Sequence, residues 1–131
     1  MGTYEEILET FKKKLKTVSV VEIADIPKID LYMDQVTTFM DQALTPYKRS
    51  SDGKVLTKTM INNYTKAKVL PPPVKKKYGR MHIMLLIMIF HLKTVLSIKD
   101  IATLFQPIFA LPTKEESEKQ TEKIYAGFIY L

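Results

Sequence analysis

Met81 to Val95 is apolar almost all the way around a helix, interrupted only by His82, His91, Lys93 and Thr94. A helix with no polar face has to be covered on every side, which predicts a bundle with this segment at its centre. Its longest unbroken apolar run, Ile83 to Phe90, spans eight residues, far short of the roughly 20 a membrane-crossing helix requires. The start, MGTYEEILETF, lacks the basic-then-apolar layout of a secretory signal. No cysteine occurs among the 131 residues, which excludes disulfides, thiolate metal sites and cysteine nucleophiles. The expectation is a cytoplasmic protein with no membrane association.

Around the apolar segment the sequence predicts further helices, punctuated by caps and prolines. Thr3 and Glu6 form a capping box ahead of Tyr4, Ile7, Leu8, Phe11 and Leu15, an amphipathic helix ending near Lys16. After Pro27, Asp30 is a candidate N-cap for a helix to about Leu44, with Tyr32, Val36, Phe39, Met40, Ala43 and Tyr47 as its inward stripe. Thr57 caps a helix from Lys58 to about Lys68 that turns Met60, Ile61 and Tyr64 inward and Lys58, Asn62, Thr65, Lys66 and Lys68 outward. Pro71 to Pro73 stop it and force an extended exit. Ser97 and Asp100 open a helix running to Pro107, with Ile98, Ile101, Leu104 and Phe105 inward. Thr113 and Glu116 open the last helix, which starts with ten polar residues and ends on Ile124, Tyr125, Phe128 and Ile129. That late stripe reads as a dimerisation surface or a truncated helix. The organisation is therefore an N-terminal helical arm (1–25), a central helical domain (26–109) and a C-terminal helix (110–131), all-α in class.

The net charge is +6, but the segment from Lys48 to Arg80 alone carries +9, with Asp52 its only acid. A mildly acidic protein with one strongly basic stretch has a directional field, the electrostatic footprint of a polyanion site. The plainer reading is a solvated lysine face. The interleaving of asparagines and tyrosines with the lysines favours the polyanion. Asparagine pairs bidentately with adenine edges, and lysine meets phosphate or guanine.

Catalytic chemistry finds no footing. His82 and His91 lie nine residues apart on one helix, nearly opposite each other at about 100° per residue, and cannot share a metal. No nucleophile elbow, P-loop or dinucleotide fingerprint is present, and Glu115-Glu116 sits where helix-start capping explains it. Met81, Met84 and Met88 recur at helical spacing and read as core filling. No cofactor and no enzymatic activity are expected, and no pocket for an effector can be read from the sequence.

The stretch TMINNYTKAKVLPPPVKKKYGRMHIMLLIMIFHLKTVLSIKDIATLF resembles the winged helix-turn-helix of MerR-type regulators. Ile61 and Tyr64 fall on the core positions of the recognition helix, Val69-Leu70-Pro71 on its exit, Lys75 to Tyr78 on the wing, and Leu96 to Ile101 on the closing helix. More closely, IPKIDLYMDQVTTFM, LTKTMINNYTKAKVLPPPVKKKY and LKTVLSIKDIATLF resemble the bacterial domain-of-unknown-function 1836 family over about Ile26 to Phe109. Three positions depart from the MerR pattern: its recognition-helix arginine is Asn62, the glycine that ends that helix is Lys68, and its cap after the wing is Gly79. The turn departs too, with eleven residues from Pro46 to Leu56, long enough to leave the angle between the helices unfixed.

The resemblance and the charge imply a MerR-like winged variant of the helix-turn-helix that binds double-stranded DNA as a transcriptional regulator. Lys58, Asn62, Asn63, Lys66 and Lys68 are the candidate contacts of the helix in the major groove. Lys75, Lys76, Lys77, Tyr78 and Arg80 are those of a basic wing over 74–80, and Lys48, Arg49 and Lys54 add loop contacts. A homodimer on a pseudo-palindromic site is expected, pairing through Ile124, Tyr125 and Phe128. The alternative is a protein-interaction module that uses the same scaffold to dock an acidic partner.

Overall fold

The hydroxyls of Thr57, Ser97 and Thr113 each accept a backbone N–H three residues on, from Met60, Asp100 and Glu116, at 3.1 Å. Each fills one of the unpaired donors that open a helix. These caps place three of the five long helices in the computed structural model, which describes residues 5–6, 21–47 and 54–129. The chain runs β1 (Leu31–Tyr32), α1 (Met33–Ala43), α2 (Lys58–Lys66), β2 (Lys77–Tyr78), α3 (Arg80–Leu92), α4 (Ile98–Phe109) and α5 (Lys114–Ile129). Short 3-10 turns lie at Ile23–Asp25 and Thr45–Tyr47. Glu5 and Glu6 are helical; the rest of the arm helix expected up to Lys16 lies outside the described residues. No helix among the described residues is long and apolar enough to cross a membrane.

The apolar segment is the hub. Every residue from His82 to Ile89 on α3 is buried; its main helix partner is α5, and it shares one core cluster with residues of α1, α2 and α4. Val36, Met40 and Leu44 reach the core from α1 and its end, Ile61 and Tyr64 from α2, and Ile101, Phe105 and Ile108 from α4. Gly79 caps α3, and the side chain of His82, three residues on, accepts the Gly79 N–H at 3.0 Å.

Four expectations need correction. The class is mainly α, not wholly α, because Leu31 pairs with Tyr78 and Tyr32 with Lys77 in a two-stranded antiparallel ribbon. Asp30 is not a cap: Leu31 is buried as a strand residue, and the helix starts at Met33 with Gln35 Oε1 accepting the Tyr32 N–H at 2.9 Å. Tyr32, assigned inward, is therefore 53% exposed. Helix α4 continues through Pro107 to Phe109, because a proline in the last turn costs one N–H bond without ending the helix at once. Leu104 faces outward there, and Ile108 takes the inward place.

Helix α5 also packs otherwise than its apolar stripe suggests. Its buried row is Ser117, Thr121, Tyr125 and Ile129, spaced every four residues and packed largely against α3. The small hydroxyl residues return their O–H groups to the backbone: Ser117 to Ile108 O at 2.9 Å and Thr121 to Ser117 O at 2.7 Å. Tyr125 is fully buried, its hydroxyl donating to Val21 O at 2.6 Å, and burial holds that phenol well above its ordinary pKa. Phe128 is half-buried and stacks near His91 and Tyr125. Tyr125 and Phe128 thus serve the protein's own core, and of the three residues expected to pair subunits only Ile124 remains exposed.

Candidate nucleic-acid interface

Helix α2 stands on its apolar side and offers the other. Ile61 and Tyr64 anchor it, with Lys93 Nζ donating to the Tyr64 hydroxyl at 3.3 Å. Lys58, Asn62 and Lys66 follow at four-residue spacing on the exposed side, spanning about 12 Å at 1.5 Å per residue. Thr59 and Asn63 form a second exposed row beside them. Thr59 escaped the sequence reading, although its position four residues before Asn63 was enough to find it.

The end of the long connection and the start of α2 are tied back to α1. Val55 and Leu56 are buried, and the Val55 N–H donates to Asp41 Oδ1 at 3.2 Å, tying the end of the connection back to α1. Lys58 Nζ pairs with Asp34 Oδ1 at 2.5 Å, and Lys58 holds the Asp34 carboxyl below the usual carboxylate range. Both side chains are mostly solvent-exposed, so the pair orients more than it stabilises. Lys54 is exposed and adds to the field at Asp34. Lys48 and Arg49 lie outside the described residues.

Beyond α2 the backbone does something unusual. Lys68 has φ 63°, Lys75 φ 52° and Lys76 φ 67°; among the described residues, these are the non-glycine residues with positive φ. Lys68 closes α2 with a left-handed turn: Val69 N–H donates to Tyr64 O and Lys68 N–H to Thr65 O, both at 3.1 Å. That arrangement normally selects glycine. Lys75 and Lys76 are the two central residues of a hairpin in which Val74 and Lys77 exchange both backbone bonds at 3.0 Å. Positive φ at both makes it a type I′ turn, whose usual occupants are Asn-Gly. Each lysine there costs roughly 1 kcal/mol or more relative to glycine. The three lysines that break the local rule are all on the basic segment.

The hairpin is anchored from behind. Lys77 pairs with Tyr32 across the ribbon, its ammonium 5.2 Å from the centroid of the Tyr32 ring. Cross-strand partners share a face, so Tyr32, Lys77 and Val74 form one outward stripe. Tyr78 is buried and meets His82 edge-on at 5.2 Å; it is a packing residue. His82 accepts from Gly79 at Nδ1 and therefore carries its proton on Nε2, which donates to Pro72 O at 3.2 Å. Burial holds His82 below the ordinary histidine pKa, so it is neutral. One imidazole thereby fastens the proline exit to the start of α3.

Arg80 is held differently from the lysines around it. It is half-buried, and its guanidinium donates to Ile23 O at 2.9 Å, holding the 23–25 turn. Lys66, Lys68, Lys75 and Lys76 are exposed, and Lys77 is half-buried; none of the five makes an ion pair among the described residues.

A sequence profile described as Domain of unknown function (DUF1836) matches residues 21–128. The chain belongs to the DUF1836 family. The match starts at Val21, whose carbonyl receives the Tyr125 hydroxyl, and runs nearly to the end of α5. In this DUF1836 chain the last helix is thus part of the matched unit along with the basic face. No curated protein and no solved structure matches the chain.

Proposed function

We propose that this DUF1836 chain binds double-stranded DNA and acts as a transcriptional regulator, using a MerR-like winged form of the helix-turn-helix. Helix α2 enters the major groove, with Asn62 and Asn63 reading base edges and Lys58 and Lys66 meeting phosphates or guanine. Lys68, Lys75, Lys76 and Lys77 grip the flanking backbone as a short wing. The observation that carries this reading is the strained trio of lysines. Three left-handed positions that would relax with glycine or asparagine hold cations instead, beside an exposed row of asparagine and lysine. Strain retained in one place points to a function there.

A single helix and wing contact few base pairs, so two copies on a two-fold related site are part of the proposal. Selection of bound fragments from random duplex DNA tests it. The expected result is one enriched motif with adenine at the positions read by Asn62 and Asn63. A pool that stays unenriched after repeated rounds contradicts sequence-specific recognition. The second reading, docking of an acidic protein, draws on the Tyr32–Lys77–Val74 stripe, where apolar surface adjoins a cation. Binding that depends on Tyr32 and Val74 but is indifferent to DNA favours it.

A further inference from the structure

Behind the wing lies a cleft of about 610 Å³, inside the size range of sites that enclose small molecules. It is bounded by the end of α2, the proline exit, the wing, the start of α3 and the first turns of α5. Leu70, Pro71, Met81, Met84 and Phe109 give it an apolar lining, and methionines adapt readily to the shape of an occupant. Charge around it is uneven. Lys28, Lys68, Lys77, Arg80 and Lys114 contribute five cations against the carboxylates of Asp30, Glu118 and Glu122, and His82, also in the lining, is held neutral by burial. Arg80, one of the lining residues, also leaves its buried Nε without a hydrogen-bond partner among the described residues. Buried donors are almost always paired in native proteins.

We propose that this cleft binds a metabolite-sized organic anion with an apolar body, and that the bound anion releases nucleic acid. The release half rests on the DNA reading above. Lys68 and Lys77 line the cleft and also belong to the basic face. An anion that draws their ammonium groups toward the cleft removes two phosphate partners from the wing side. It also meets the exit that His82 fastens through Pro72, on the short path between α2 and the hairpin. Because binding free energies are linked reciprocally, nucleic acid must weaken the anion by the same factor that the anion weakens nucleic acid.

The probe is 8-anilinonaphthalene-1-sulfonate, an apolar-bodied monoanion whose fluorescence rises on leaving water, titrated into the full chain without DNA. The expected result is one saturable site per chain. Glu118→Trp, which sets an indole into the cleft, weakens it about tenfold or more. Glu115→Trp, one turn away and outside the cleft lining, leaves it unchanged and controls for folding. Lys114→Glu weakens it by reversing a lining charge. Non-saturable binding, or equal binding to both tryptophan variants, overturns the site. The second arm adds a duplex at low salt: saturating probe is expected to weaken duplex binding by about tenfold, an ordinary coupling, with the reciprocal effect on the probe and no effect in Glu118→Trp. Unchanged duplex affinity at a cleft filled by the probe overturns the release mechanism. If the chain binds no duplex at all, the DNA reading and the release fall together, and the first arm alone decides the cleft.

Discussion

Replacing Lys75 by Asn and Lys76 by Gly makes a sharp test, because strain and charge then pull in opposite directions. Both positions have positive φ in a two-residue hairpin, where a Cβ crowds the neighbouring carbonyl oxygen at a cost of roughly 1–2 kcal/mol each. Asn tolerates that region and Gly is free in it, so relief of strain in the double variant is worth about 2 kcal/mol. The Lys76→Gly change gives back about 0.5–1 kcal/mol through the freedom it adds to the unfolded chain. The net is a stabilisation of about 1–1.5 kcal/mol, or roughly 3–8 °C in Tm for a chain of this size. Duplex binding moves the other way. If each ammonium neutralises one phosphate, the slope of log affinity against log salt becomes shallower by about 1.8. The control is Lys75→Ala with Lys76→Ala, which removes the same charge but leaves a Cβ at both strained positions. It is expected to lose the same salt slope without gaining Tm. Thermal unfolding followed by circular dichroism and fluorescence anisotropy on a labelled duplex supply the two readouts. A double Asn-Gly variant no more stable than the double alanine refutes the strain argument, and an unchanged slope in both refutes the wing.

Other outcomes follow from single contacts. Tyr125→Phe strands the buried Val21 carbonyl that now accepts a 2.6 Å bond, and is expected to cost about 1–2 kcal/mol in urea unfolding. Asn62→Ala is expected to relax base preference at one position of the bound site by about 1–3 kcal/mol of discrimination, whereas Lys66→Ala weakens all sequences alike and shallows the salt slope by about one phosphate. Asp34→Asn removes the carboxylate beside Lys58 and is expected to tighten duplex binding several-fold at low salt, with little change in Tm because the pair is exposed. His82 is held below its ordinary pKa by burial, so the folded state resists a proton that the unfolded chain accepts near pH 6.5. Its contribution to stability is full above that pH and declines as pH falls through it. His91 shifts in the same direction, so Tm is expected to drop from pH 7 to pH 5 and to drop less in His82→Gln.

The helices that could be read from the sequence were those whose caps and periodicity agree. Thr57, Ser97 and Thr113 begin helices as their hydroxyls predict, and the apolar run from Ile83 is the core it promised to be. The ribbon was not legible because two residues carry no alternation, and Leu31-Tyr32 continues smoothly into a helical pattern. The packing of α5 was missed for a different reason: Ser117 and Thr121 count as polar, yet their hydroxyls satisfy themselves on nearby carbonyls and leave small side chains suited to close helix contact. At the candidate site the sequence located the lysines and asparagines but not their backbone. Nothing in the letters Lys-Lys announces a type I′ turn that ordinarily selects Asn-Gly. The division of Arg80 from the exposed lysines likewise depends on a partner 57 residues away, Ile23.

On the proposed reading, the exposed face of α2 and the lysine hairpin bind nucleic acid as a polyanion, through a continuous cationic surface. The most direct measurement is the salt dependence of duplex affinity in the wild-type chain and in the chain with Lys66, Lys68, Lys75 and Lys76 all replaced by alanine. The expected result is a steep linear decline for the wild type and a slope shallower by about 3 to 4 in the variant, with the fold intact by circular dichroism. A folded variant that keeps both the wild-type affinity and the wild-type slope contradicts that reading.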